Sequence, residues 1–319
     1  MHGRSPGDAA MLLLADSRLP AGGHAHSGGA EEAVRLGAIT GPDDLARFLR
    51  GRLATAGLVT AALAAAACEL GTATAPRTAR NECGPNTAPP ATDEADVDGA
   101  DADGADADGA DASRPHAGET GGEGPRASRP DAQGAADGGE WVQRWRQLDA
   151  EADARTASPA QREASRTQGR LLIRTARGIW PSAILDTLTA AIPEGAHHPV
   201  AVGAAAASAG CDPYQAALAA AYNAVTGPAT AAVRLLGLDP VTVHRLLADL
   251  APALNDAAHA ACASLMDAVV TEPVPRDSAA RDSATPRVAG WQSLPGHCAP
   301  ALDLLAEGHQ NNPMKLFVS

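Results

Sequence analysis

The chain has 319 residues, enough to bury a substantial core, and aromatics make up only 3% of it. Ala and Leu dominate and β-branched runs are scarce, which excludes a β-rich architecture and predicts helices. The net charge of -13 sits mostly in residues 93–140, where fourteen Asp or Glu face three Arg; the near-neutral remainder leaves no basic face for nucleic acid and no basic helix for an anionic membrane.

In chain order, the first apolar stretch runs from Ala9 to Ala15 and is broken by Asp16 and Arg18, too short for a signal peptide or a membrane span. Gly22 and Gly23 then permit a tight turn, and Ser27 is placed to cap a helix with Glu31 and Glu32 in its first turn. Gly41-Pro42-Asp43-Asp44 opens another helix, with Leu45, Phe48, Leu49 and Leu53 on one face. The alanine-rich run from Leu58 to Cys68 reads as a packed core helix.

From Gly71 to about Glu140 the composition changes to Pro, Gly, Thr and Asp, with a repeated Asp-Ala-Asp-Gly-Ala unit from Asp101. Such a segment buries too little apolar surface to offset the entropy of ordering, so it is expected to be disordered. Glu94, Asp96, Asp98 and Gly99 echo the start of an EF-hand, yet the closing position falls on Ala105 and no flanking helix is evident.

Beyond the insert, Ser158-Pro159-Ala160-Gln161 combines an N-cap serine, a first-turn proline and a capping-box glutamine, for a helix that stops near Gly178 and Pro181. Pro199 to Gly210 is the next helix. Asp212-Pro213 and Asp239-Pro240 each start another, and Pro252 is expected to kink or split the segment from Val241 to Val269. Glu272 to His297 is again soft. These readings predict an all-α, irregular single-domain bundle of about nine or ten helices with a long disordered acidic insert. Its parts are an N-terminal part at 1–70, the insert at 71–140, the main part at 141–271, a flexible linker at 272–297, and a terminal helix with a partner-docking tail at 298–319.

Catalytic signatures are scarce. The one lysine, Lys315, cannot serve a phosphate-binding loop or a Schiff base, and Ser27 and Ser208 follow alanines at positions 25 and 206 where a nucleophile elbow needs glycine. Cys68, Cys83, Cys211, Cys262 and Cys298 are widely spaced, odd in number and form no C-x-x-C pair, which suits a reducing cytoplasm. No cofactor is implied. The alternative is a helical metal-dependent enzyme using the pairs His24/His26 or His197/His198, weighed against structural roles beside a turn and at a helix start.

Four stretches in order carry a resemblance. They are Leu19-Pro20-Ala21-Gly22-Gly23-His24-Ala25-His26-Ser27-Gly28-Gly29-Ala30-Glu31; Arg162, Ser165, Gln168, Gly169 and Arg170; His197, Pro199, Val200 and Gly203; and Lys315-Leu316-Phe317-Val318-Ser319. Together they resemble the UreF family of urease accessory proteins. The chain departs from that pattern with histidine at positions 24 and 26, Ala30 in place of leucine, and Lys315 in place of an arginine.

The resemblance implies a non-catalytic cytoplasmic adaptor, often a homodimer. It would join UreD (also called UreH) to the GTPase UreG, control GTP hydrolysis and support nickel delivery to apo-urease. The expected partner-binding residues are Gly22, Gly23, Ser27, Glu31, Lys315, Leu316 and Phe317. Asn311-Asn312-Pro313 is expected to halt the last helix and leave Met314, Leu316 and Phe317 on a mobile end that a partner groove would cover, the other reading being a tail folded onto its own core.

Overall fold

In the computed structural model the described residues are 7–74, apart from 17 and 22, then 132–270 and 291–319. Among them the architecture is all-α, without a strand. The helices are α1 (Gly7–Ala15), α2 (Ala30–Arg35), α3 (Pro42–Arg52), α4 (Leu58–Thr74), α5 (Ala132–Ala154), α6 (Pro159–Ile179), α7 (Ala183–Ala191), α8 (His198–Ser208), α9 (Pro213–Leu236), α10 (Pro240–Asp249), α11 (Ala251–Val270) and α12 (Pro300–Gln310). A π-turn at Leu53–Gly57 joins α3 and α4 into one rod spanning Pro42–Thr74. The bundle therefore has eleven separate rods among the described residues, slightly more than the nine or ten expected.

Alanine explains how the centre packs. In α4 the side chains of Ala61, Ala62 and Ala64 to Ala67 are all buried, and α8 and α9 bury comparable runs. Small side chains let helix backbones approach closely, so dispersion contacts substitute for the larger burial a leucine core would give. At the α4–α8 crossing a Cβ on Gly203 would sit 2.2 Å from the Ala64 carbonyl oxygen. At the α6–α8 junction a Cβ on Gly169 would lie 1.9 Å from the Ala196 carbonyl oxygen. Both glycines belong to the motifs singled out in the sequence, and close backbone approach is the reason they are glycine.

The rod α3–α4 is long and apolar enough to cross a membrane, but it is the core of the bundle, with α8, α9 and α11 packed around α4. The helix starts follow local chemistry. Ser158 accepts from the Gln161 backbone N–H at 3.1 Å, and Asp212 with Gln215 completes a reciprocal capping box at α9. The expected box at α6 is only half made, because the Gln161 amide reaches Asp303 of α12 instead. The split near Pro252 occurs at Leu250, between α10 and α11.

Several expected boundaries shift. Helix α4 continues through Thr74 and α5 starts at Ala132, so both run into the range assigned to the insert. Residues 75–131, with the EF-hand-like stretch, lie outside the described residues, as do residues 271–290, which hold most of the soft segment expected at 272–297. After that segment, Arg155 anchors the returning chain: its guanidinium donates to the carbonyls of Trp291, Leu294 and Pro295, each at 3.0 Å, and pairs with Glu151. This clamp seats Trp291 in the core and delivers α12 against α6 and α2.

Candidate functional site

The tail after α12 is fastened to the N-terminal turn by backbone groups. The Leu316 N–H donates to Glu31 Oε1 at 2.6 Å and the Phe317 N–H to Glu31 Oε2 at 3.1 Å. His309 Nε2 donates to the same Oε2 at 2.7 Å. Next, the Val318 N–H reaches the Ala25 carbonyl at 2.7 Å, and the Ser27 N–H reaches the Ser319 carbonyl at 2.5 Å. The His26 ring and the Ser319 hydroxyl meet at 2.5 Å.

Side chains alternate in and out along this extended run, as the period of an extended chain dictates. Phe317 is buried at 8% exposure, whereas Leu316 and Val318 keep 79% and 60% of their surface and Met314 keeps 83%. Burial raises the Glu31 carboxyl, but hydrogen bonds from the Leu316 amide, His309 and the Phe317 amide outweigh it and hold it below the usual carboxylate range. Glu31 is therefore an ionised acceptor for three donors.

The tail and turn expectations need correction. Phe317 is folded onto its own core instead of lying on a free end, because its own amide and that of Leu316 satisfy a buried carboxylate. Only the other apolar tail side chains, with Lys315, face outward. Glu31 lies 5% exposed and accepts hydrogen bonds from its own tail. Ser27 does not cap α2: the N-cap is Gly29 in the left-handed region, and the buried Ser27 hydroxyl has no hydrogen-bond partner among the described residues. Gly23 sits exposed in a short 3-10 turn with open space at its Cβ position, and Gly22 lies outside the described residues. The conformational freedom of glycine is used two turns later, at Gly28 and Gly29.

His197 of the second histidine pair is engaged within the fold. His197 is 1% exposed, with Nδ1 3.1 Å from Ser165 Oγ and Nε2 2.8 Å from Asp153 Oδ1. Serine, histidine and aspartate thus meet, but the serine oxygen also accepts the His198 backbone N–H at 3.0 Å, and Asp153 is shared with Arg166. The constellation ties α5 and α6 to the start of α8. Burial lowers the His197 pKa, and it lowers that of His198 to about 4, aided by the charge of His26. No group of three or more His, Cys, Asp or Glu able to hold a metal occurs among the described residues, and the side chain of His24 lies outside them.

Behind the tail lies a cavity of about 400 Å³ lined by Gly28, Arg52, Gln168, His198, Asn223 and Ser319, among others. Arg52 escaped the sequence reading, although one signal pointed to it. Pro228 inside α9 has no N–H, so the Ala224 carbonyl loses its helical donor. Arg52 Nε supplies one at 2.7 Å, and its Nη1 holds the Gly28 carbonyl at 2.8 Å. The Glu31–His309 pair spans 278 residues and left no local trace in the sequence.

The UreF family model matches residues 127–251. The chain is 36% identical to the urease accessory protein UreF of Mycolicibacterium vanbaalenii over 259 residues, covering 81% of this chain and 87% of that one. It is 36% identical to the protein of that name in Mycobacterium marinum, over the same shares of the two chains. To that of Mycobacterium tuberculosis it is 32% identical, over 98% of each chain. With this identity carried along nearly the full length of its relatives, the chain belongs to the UreF family of urease accessory proteins.

Proposed function

We propose that this accessory protein serves urease maturation as an adaptor, joining UreD to the GTPase UreG, regulating GTP hydrolysis and supporting nickel insertion into apo-urease. The setting would be the cytoplasm and the working form a homodimer. The observation that carries the reading is the tail: Leu316 and Val318 stand outward on a backbone held at four points, by Glu31, Ala25 and Ser27. Exposed apolar side chains on a mobile end lose entropy when they dock; side chains on a fastened backbone lose less.

Lys315, Leu316 and Val318 would form the contact, with Met314 beside them, while Glu31, Gly23, Ser27 and Phe317 would act from beneath by shaping the tail. Gly22 is proposed as part of the same turn. The rival reading as a metal-dependent enzyme draws no support from His197, whose two ring nitrogens are already engaged within the fold.

The test is co-expression with UreD and UreG, followed by affinity capture and size-exclusion chromatography. A Leu316→Ala, Val318→Ala double variant should lose capture of UreD while its circular dichroism and melting temperature stay unchanged. Capture at the wild-type level by the double variant would refute the tail as the docking element.

A further inference from the structure

The cavity behind the tail contains a charge that no described residue neutralises. Arg52 is half-buried and lines the cavity, yet among the described residues no carboxylate pairs with it. Its two hydrogen bonds go to neutral carbonyls, those of Ala224 and Gly28, through Nε and Nη1, and Nη2 makes none. Arg155, on the same lining, is the contrast: Nε and both Nη groups are bonded, and Glu151 supplies a carboxylate. A half-buried guanidinium without a counter-charge keeps donors free for an anion, to which it binds more strongly than to a neutral carbonyl.

Two other half-buried polar side chains on this lining also keep donors without a protein partner among the described residues. The Gln168 amide makes no hydrogen bond within the described residues, and the His198 ring makes none either, since only the backbone N–H of His198 is engaged, by Ser165. A neutral imidazole and a primary amide both donate N–H groups. Among the described residues the one side-chain carboxylate on the lining, Asp303, accepts from Gln161 at 3.2 Å, and the Ser319 main-chain oxygen accepts from the Ser27 N–H. The volume of about 400 Å³ falls within the range of small-molecule pockets.

We propose that this cavity binds a small oxyanion, with the Arg52 guanidinium as its charge partner and Gln168 and His198 as additional N–H donors. Arg52 keeps its structural bonds to Ala224 and Gly28 and presents the rest of its fork to the ligand, the geometry in which guanidinium recognises oxyanions. The low pKa of His198, about 4, keeps that ring neutral when the site is empty, and an adjacent anion would raise it.

The test is calorimetric titration of the full chain with bicarbonate and acetate as planar oxyanions and with phosphate and sulfate as tetrahedral ones, at constant chloride. One class should bind, and Gln168→Leu, which leaves both Arg52 bonds intact, should weaken it roughly tenfold. Arg52→Met should abolish binding; if that variant does not fold, the Gln168→Leu result and the His198 titration stand in its place. In proton NMR the His198 pKa should rise when the oxyanion is present. Absence of heat with all four anions, unchanged affinity in Gln168→Leu, or a His198 titration indifferent to the bound anion would each overturn the proposal.

Discussion

Arg52 Nε lies 2.7 Å from the carbonyl oxygen of Ala224, the helical acceptor that Pro228 leaves without a donor. A proline in a helix interior normally kinks the helix or costs about 3 kcal/mol, and here a side chain from α3 supplies the missing N–H. Arg52→Met should destabilise the protein by about 2–4 kcal/mol, since two part-buried carbonyls lose their partner. Adding Pro228→Ala restores a backbone donor to Ala224 and should recover about 1 kcal/mol, which urea denaturation of the double-mutant cycle will read as coupling.

Gly169→Ala should be severe. The new methyl would collide with the Ala196 backbone, which cannot yield as a side chain would, so α6 must move from α8 at a cost of about 3 kcal/mol. Gly23→Ala, where nothing lies near the new methyl, should change stability by less than about 0.5 kcal/mol. Thermal melts of the two variants make the comparison.

Adjacent tail residues should behave oppositely. Phe317→Ala removes a buried ring and should cost about 3 kcal/mol locally, seen as faster amide exchange at Val318 and Ser27. Leu316→Ala removes an exposed side chain, and exchange at those amides should stay within about twofold of wild type.

Glu31 sets an acid limit on the tail. Its folded pKa lies below 4.5, so its contribution is fully present above pH 4.5 and is lost as pH falls through the lower folded value. Denaturant midpoints of wild type and Glu31→Gln should therefore differ at neutral pH and converge in that acid range. Identical pH profiles would count against the clamp.

His198 acts over a higher window. With its folded pKa lowered from 6.5 to about 4, the unfolded chain binds the proton more readily, so stability falls as pH drops from 6.5 towards 4. The slope contributed by this one group reaches at most about 1.4 kcal/mol per pH unit. His198→Asn should flatten the stability profile between those two values.

The fold class, the helix starts at Ser158, Asp212 and Asp239, and the membership suggested by the four motifs were legible in the chain itself. Caps, first-turn prolines and alanine-rich periodicity act within a few residues, so local composition carries them. Gly169 and Gly203 were visible as motif positions, though their reason, a backbone carbonyl from a distant segment within 2.2 Å of a would-be Cβ, was not. Which face of the tail points outward depended on Glu31 meeting amides 285 and 286 residues away, and Ser27 lost its expected capping role to Gly29 through the same turn. The cavity and its arginine likewise arise where α3, α6, α8 and α9 converge with the tail. Short-range hydrogen bonding and side-chain size set the elements; burial of charge among distant segments, which no local pattern encodes, decided where the site lies and which residues it exposes.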